Sequence, residues 1–328
     1  MSLKIEIQKF LNTLNNEVNY CVARGLGTTI YEPGSDLDLI INRHDKHLFD
    51  IILTKYHNWQ VVNKIERYYV VSYFLYSKKT KIFFQIDCEF NFDWWSFEIL
   101  NTSTILARRK MCDITKIYFA NDIHANTMKL YRTLFWGQRL KEKYRLDLER
   151  AVELERIIIE KPLLSKSELK ALLSNTNAEC VASIASVLRR SIITHNFKKF
   201  GFLKVITRVF AFLFSEIRIL FKNNGIELEI TNPNDSNGLI NYLQYKTNKF
   251  KSPFKNVMIS SKSISLLKKL KQKRDATLTV HLRTAKGAIR CTTFEDGSVK
   301  LIDSKSNESH TFPNYDALWY YIAFIFKN

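Results

Sequence analysis

The most constraining feature of this chain is the hexapeptide Asp36-Leu37-Asp38-Leu39-Ile40-Ile41, which directly follows a Gly34-Ser35 turn. Alternate residues of a β-strand point to the same side of a sheet, so Asp36 and Asp38 project together on one face. Two neighbouring carboxylates repel each other unless a proton or a cation lies between them. The hexapeptide therefore predicts a strand with one apolar face and with a site for a divalent cation on the other.

Composition predicts a globular chain with anionic partners. A length of 328 residues favours two or three domains, and an apolar fraction of 46% excludes a disordered protein. Fifty Lys and Arg against thirty-two Asp and Glu give a formal charge of +18. This charge favours nucleotides, nucleic acid, phosphosugars or an acidic membrane surface as partners. A basic surface that only maintains solubility is the alternative explanation.

Cysteine usage, the first residues and the hydropathy of the chain indicate the cellular compartment in which the protein is found. The five cysteines are scattered, and no two are spaced for zinc, which indicates a reducing environment. The first ten residues are typical of an ordinary mixed helix and not of a signal peptide. No uninterrupted apolar run reaches the roughly 18 residues that span a bilayer. We therefore expect a cytoplasmic protein without a transmembrane segment.

Hydrophobic periodicity predicts an α+β chain in three parts: a mixed-sheet domain over 1–120, a helical domain over 121–224 and a small α/β domain over 225–328. In the first part we expect helices and strands in alternation. The predicted helices are 3–16 and 47–56, and the predicted strands are 19–24, 37–42, 59–62, 68–76 and 81–90. In the last part we expect a strand at 226–230 and an antiparallel meander of 277–283, 288–294 and 299–303, with a hairpin turn at 295–298.

A third carboxylate, Asp87, lies inside the predicted strand 81–90. Burying a charge among apolar residues is costly without a counterion, so Asp87 is expected to complete a site with Asp36 and Asp38. The alternative is that Asp36 and Asp38 form a solvated turn. Glu89 is on the same strand face as Asp87, and it is either a reserve ligand or a solvated edge residue.

These residues resemble the motif of the nucleotidyltransferase superfamily of polymerase-beta-like folds, over roughly residues 15 to 120. The closest fit is to bacterial members that have Arg-Gly, a short loop with a proline, and then Ser-Asp-x-Asp. The resemblance implies that Asp36 and Asp38 bridge two metal ions and that Asp87 binds the catalytic ion. It also implies a nucleotide-binding set formed by Arg24, Gly25, Gly27, Thr28, Gly34 and Ser35. The family usually has Gly-Ser at a helix start, so here Thr28 or a backbone N–H replaces that serine hydroxyl.

The function implied by this resemblance is metal-dependent transfer of a nucleoside monophosphate from a nucleoside triphosphate such as ATP. The expected cofactor is Mg²⁺, with Mn²⁺ as the alternative ion, and Asp36, Asp38 and Asp87 are its expected ligands. The expected acceptor is a hydroxyl or phosphate of a small molecule, a saccharide or a protein. One alternative, favoured by the charge of +18, is a template-independent nucleic-acid nucleotidyltransferase. The other is a catalytically inactive assembly or interaction protein on the same fold.

Three further segments carry weaker predictions. The basic stretch 129–145 follows the catalytic domain, where one or two of its cations are expected to touch the nucleotide. The Trp94-Trp95 pair is interpreted as core packing in preference to a base-stacking platform. The segment 202–221 mixes apolar side chains with Lys and Arg. We interpret it as a core helix in preference to a helix on an acidic membrane surface.

Overall fold

The computed structural model describes residues 2–23, 36–136, 142–153, 166–174, 178–222, 227–230, 238–244, 256–260, 277–281, 289–294, 298–302 and 309–325. Within these ranges the chain combines helices with a seven-stranded sheet, a six-stranded sheet and a two-stranded hairpin. Both larger sheets contain parallel and antiparallel pairs. The predicted α+β class with a mixed sheet is confirmed, whereas the division into three domains stays a prediction.

The seven-stranded sheet has the strand order β3-β4-β5-β2-β1-β9-β8, and β2 lies parallel to β5. Each predicted element of this region is present, with bounds that shift by a few residues. The elements are α1 (Leu3–Leu14), β1 (Tyr20–Val22), β2 (Asp36–Ile41), α2 (Lys46–Lys55), β3 (Trp59–Glu66), β4 (Val70–Ser77), β5 (Ile82–Glu89), β6 (Phe92–Trp94), β7 (Phe97–Leu100), α3 (Thr102–Ala107), β8 (Lys110–Met111) and β9 (Tyr118–Phe119).

One face of this sheet packs against α1 and α2. Leu37, Leu39 and Ile41 alternate along β2 and enter an apolar cluster with α1 residues such as Phe10 and the α2 residue Phe49. The period of two in the strand and the helical spacing of the α1 side chains place apolar atoms on facing surfaces. Burial of this face therefore fixes the side of β2 on which Asp36 and Asp38 project.

The opposite face of the sheet is covered by two separate apolar clusters. Ile40 of β2 and Cys21 of β1 pack with the helices that follow the sheet. Phe83 of β5 packs with the C-terminal part of the chain, where Trp319 lies with its ring centroid 6.4 Å away. The polar residues of β2 and β5 lie between these clusters, on the same face.

The helices of the middle part follow the sheet in sequence, and side chains of the first four belong to the same apolar cluster as Ile40 and Cys21. The first of these helices begins at Asp122, shortly after β9 ends. Gly201 separates the last two helices and has a φ of +78°, a backbone conformation that glycine adopts most easily. The backbone N–H of Gly201 donates to the carbonyl of Phe197 at 3.0 Å. The helices are α4 (Asp122–Trp136), α5 (Glu142–Glu153), α6 (Lys166–Ser174), α7 (Ala178–Phe200) and α8 (Phe202–Lys222).

The six-stranded sheet has the order β11-β12-β10-β13-β14-β15. The predicted antiparallel pairing of 288–294 with 299–303 is confirmed as β13 with β14, and the N–H of Phe294 donates to the carbonyl of Ser298 at 3.0 Å. Residues 295–297 of the predicted turn lie outside the described residues. The elements are β10 (Glu227–Ile230), α9 (238–244), β11 (Asn256–Ser260), β12 (Thr277–His281), β13 (Ile289–Thr293), β14 (Val299–Ile302), β15 (Ser309–Phe312) and α10 (Tyr315–Ile325).

The predicted meander is wrong in its first strand. The segment predicted as 277–283 forms β12, which pairs in parallel with β10 on one edge and with β11 on the other. Both edges of β12 are therefore already paired, so β12 cannot also pair with β13. The third strand of the antiparallel meander is β15, which follows β14.

Candidate active site

The predicted carboxylates come together on neighbouring parallel strands. In the register of β2 with β5, Asp38 lies directly opposite Asp87, and Asp36 lies opposite Gln85. Register partners on adjacent strands have backbones about 4.8 Å apart, and their side chains share one face of the sheet. Asp36, Asp38 and Asp87 therefore face the same space, between the two apolar clusters.

Asp87 is held by polar neighbours on its own strand and on β4. The amide nitrogen Nε2 of Gln85 donates to Oδ1 of Asp87 at 2.7 Å. Ser72 is the register partner of Asp87 on β4, and its side chain also hydrogen-bonds the carboxylate. These two contacts fix the direction in which the Asp87 carboxylate points.

The protonation of Asp87 reflects the crowding of charge in this space. Burial, followed by the negative charges of Asp38 and then Asp36, raises the pKa of Asp87 to about 6, although the hydrogen bonds from Gln85 and Ser72 act in the opposite direction. A carboxylate with this pKa can accept and release a proton near neutral pH. Such a shift is typical of a functional site, although structural networks of charges produce shifts as well.

Arg132 of α4 supplies a positive charge on the same face. Its Nη1 atom lies 3.3 Å from Oδ1 of Asp38, and its Nη2 atom contacts Oε1 of Glu89. Asp38 is only 7% exposed and Glu89 is also buried, so this guanidinium compensates charge at a place where water contributes little. The ring of Phe92 lies below the guanidinium, with its centroid 5.9 Å away.

Arg132 is one of the six cations of the basic stretch 129–145, but the prediction from sequence does not distinguish it from the others. A signal was present, because Met128 and Tyr131 are core residues of α4 and Arg132 follows Met128 by four positions. An arginine on the apolar face of a helix needs a polar or acidic partner. The interpretation of Glu89 as a solvated edge residue is wrong, because its side chain is buried against Arg132.

The expected nucleotide-binding residues Arg24, Gly25, Gly27, Thr28, Gly34 and Ser35 lie outside the described residues. The described chain stops at Ala23 and resumes at Asp36. The N–H of Ala23 donates to the carbonyl of Asp38 at 2.9 Å, and β1 pairs antiparallel with β2. The two ends of this segment are therefore next to the carboxylates.

The fit of Asp36, Asp38 and Asp87 to a metal ion depends on the chemistry of their donor atoms. Within the described ranges, no group of three or more His, Cys, Asp and Glu side chains is arranged closely enough to hold an ion. The three aspartates on this face of β2 and β5 offer carboxylate oxygens, which are donors that suit Mg²⁺. Burial and then the repulsion from Asp38 and Asp36 raise the pKa of Asp87, and a divalent cation would relieve this repulsion. Asp36, Asp38 and Asp87 thus fit Mg²⁺ in chemistry, with Asp38 turned towards Arg132.

Comparisons of the chain with models of protein families, with curated proteins and with solved structures find no match.

Proposed function

We propose that this chain is a metal-dependent nucleotidyltransferase that moves a nucleoside monophosphate from a nucleoside triphosphate to an acceptor. The acceptor is a hydroxyl or phosphate of a small molecule, a saccharide or a protein. The observation that carries the proposal is the register of Asp38 opposite Asp87, with Asp36 on the same face. The motif that contains these residues resembles that of polymerase-beta-like nucleotidyltransferases, and this resemblance supports the proposal.

Each carboxylate has a distinct part in the proposed reaction. Asp36 and Asp38 would hold Mg²⁺ together with Asp87. When bound, Mg²⁺ supplies charge neutralisation for the phosphates and a lowered pKa for the attacking hydroxyl. The ionised carboxylate of Asp87 can also take the proton of the acceptor hydroxyl.

The neighbouring residues keep these carboxylates in place. Gln85 orients Asp87 through its 2.7 Å hydrogen bond, and Arg132 draws Asp38 towards α4. Arg132 also carries positive charge to a face where a triphosphate would bring more negative charge. Glu89 offsets part of that positive charge through its own contact with Arg132.

Labelled nucleotides test the proposal directly. The protein is incubated with Mg²⁺, cell extract and each nucleoside triphosphate, labelled either at the α-phosphate or at the γ-phosphate. We expect the α-label on an acceptor and the γ-label in released pyrophosphate. Asp38→Asn and Asp87→Asn should abolish the transfer, whereas Asp113→Asn, which changes an exposed turn carboxylate, should leave it intact. Transfer of the γ-label alone, or of no label from any nucleotide, would contradict the proposal.

The charge of +18 favours a second candidate, a template-independent nucleic-acid nucleotidyltransferase. In this case the α-label would extend the ends of RNA or DNA. Asp87→Asn would still bind nucleic acid, and its affinity would fall steeply with salt because phosphate contacts release counterions. Binding that is absent or insensitive to salt would exclude this candidate.

A further inference from the structure

Helix α8 presents an apolar face to solvent. The six large side chains on this face are each between 46% and 80% exposed: Phe202, Leu203, Phe210, Leu213, Phe214 and Ile217. With about 100° between successive residues of a helix, they fall within an arc of roughly 120°. The prediction of a core helix is therefore wrong for this face. A contiguous apolar patch of this kind on a globular protein marks an interaction surface.

The opposite face of α8 is anchored to the rest of the protein, so the outward direction of the apolar arc is fixed. Nη2 of Arg208 lies 2.8 Å from Oδ2 of Asp93, whose side chain is completely buried. The Oγ atom of Ser215 accepts a hydrogen bond from the N–H of Tyr68 at 3.1 Å. A salt bridge of 3.4 Å joins Glu216 to Arg67. Polar contacts thus hold the less apolar side of the helix inward.

Aromatic stacking adds to this anchoring. Phe212 of α8 stacks on Trp95 and on Tyr69, with ring centroids 6.3 and 6.4 Å away. Trp95 in turn stacks on the buried Trp94 at 5.0 Å. The prediction that the tryptophan pair packs into the core holds for Trp94, whereas Trp95 is 56% exposed and supports α8.

Two exposed cations of α8 lie on the same side of the apolar arc. Arg208 is compensated by Asp93, and Glu216 is compensated by Arg67. Lys204 is exposed, and Arg218 is 58% exposed, with Glu66 at 3.9 Å. On a helical wheel Arg218 lies about 40° beyond Phe214, the last residue of the arc, and Lys204 lies about 80° beyond it. An apolar stripe bordered by Lys and Arg is typical of helices that lie at an anionic lipid interface.

A basic cavity of about 750 Å³ adjoins this surface. Phe214 and Ile217 belong to both the apolar arc and the cavity wall, so the two are continuous. The charged side chains that line the cavity are four cations and one carboxylate: Arg43, Lys46, Arg67, Arg218 and Glu66. Arg67 pairs with Glu216, and Lys46 pairs with Asp50 and Glu66, but the lining cations still outnumber the one lining carboxylate. The cavity therefore suits a phosphate group that is presented next to an apolar layer.

We propose that the apolar face of α8 docks on the surface of an anionic phospholipid bilayer, with the basic cavity turned towards the headgroup phosphates. The helix would lie in the interface, since none of the described helices is long and apolar enough to cross a membrane. A second copy of the chain is a poorer occupant. Pairing two such faces would bring the basic edges and a charge of +18 on each copy together.

Vesicle flotation of the full chain tests this proposal. We expect flotation with vesicles of phosphatidylcholine mixed with phosphatidylglycerol, little flotation with phosphatidylcholine alone, and a loss of binding as salt increases. Phe210→Glu with Phe214→Glu should weaken binding by at least about tenfold, because both side chains leave the bilayer. Lys204→Glu with Arg218→Glu should weaken it by about tenfold, through the lost and reversed charges.

Ile114→Glu and Val187→Glu are matched controls, since these residues are 78% and 59% exposed and lie outside α8. Both controls should bind vesicles like the unmodified protein. The proposal is overturned if wild type does not float, or if the α8 variants float as well as the controls. It is also overturned if sedimentation shows a dimer that Phe210→Glu with Phe214→Glu dissociates, because a second copy then covers the face. Nucleotide transfer is not part of the readout, so this result is independent of the proposed activity.

Discussion

Asp38 and Asp87 face each other as register partners on the parallel strands β2 and β5, and Asp87 has a pKa raised to about 6. Two carboxylates at this distance destabilise each other when both are ionised. The protein tolerates this arrangement with the help of Arg132 on one side and Gln85 on the other. The two ionised carboxylates lower the stability of the protein when no cation is bound. Local conflicts of this kind are typical of functional sites.

Asp87→Asn should stabilise the protein when divalent ions are removed. The pKa of Asp87 in the folded protein is about 6, which lies above the ordinary value of 3.8. Between pH 3.8 and pH 6, Asp87 is therefore protonated in the folded protein but ionised in the unfolded chain. The free energy of unfolding therefore falls as the pH rises through this window, and stays lower above it. We expect the variant to gain on the order of 1 to 3 kcal/mol above about pH 7 and nothing below about pH 4.

Denaturant unfolding in the presence of a chelator measures this gain. Asp113→Asn is the control, because it removes a carboxylate from an exposed turn. An Asp87→Asn protein that is no more stable than wild type at any pH would contradict the conclusion that burial and the neighbouring carboxylates disfavour the ionised form of Asp87.

Mg²⁺ should raise the melting temperature of the wild-type protein. Binding to the folded state alone stabilises it by about 2.7 kcal/mol when the ion is at about a hundred times its Kd. Asp36→Asn and Asp38→Asn should each remove most of this shift, because each removes a proposed ligand. Differential scanning fluorimetry with Mg²⁺, Mn²⁺ and a chelator provides the measurement. Equal shifts in wild type and both variants would place the ion elsewhere.

Arg132→Met should destabilise the protein, because it leaves Asp38 and Glu89 without their shared cation. Removing one partner of a buried ion pair costs about 3 kcal/mol. Adding Glu89→Gln to Arg132→Met should recover at least about 1 kcal/mol, since one uncompensated charge is removed. Urea unfolding of the complete double-mutant cycle measures the coupling, with Arg150→Met on an exposed position of α5 as the control. Additive effects of the two substitutions would show that the contact carries no energy.

Asp93→Ala should loosen α8 as well as lower global stability. Arg208 is 13% exposed and would lose its buried partner, at a cost of about 3 kcal/mol. The comparison is Lys199→Ala, which breaks the more exposed 2.6 Å pair with Glu98 and should cost less than about 1 kcal/mol. Hydrogen exchange over 202–218 should accelerate in Asp93→Ala and not in Lys199→Ala. Unchanged exchange in both variants would show that Arg208 does not anchor the helix.

Much of the local structure follows from short-range patterns in the chain. The strand predicted at 81–90 is observed at Ile82–Glu89, and the helix predicted at 47–56 is observed at Lys46–Lys55. Asp87 could be selected as a site residue because a charge among apolar strand residues needs compensation wherever the strand lies. The pairing of β12 could not be predicted, since its neighbours β10 and β11 are separated from it by long stretches of chain.

The period of two residues in a strand is enough to predict that Asp36 and Asp38 share one face, and the apolar residues around Asp87 are enough to predict a buried strand. The tertiary structure adds the register that sets Asp38 opposite Asp87 and the packing that brings Arg132, 94 residues away in sequence, to Asp38. It also decided that the apolar arc of α8 faces outward, through the contact of Arg208 with Asp93, 115 residues away. A helical pattern defines an apolar face, but the partner of that face depends on contacts between distant parts of the chain, which no local pattern encodes.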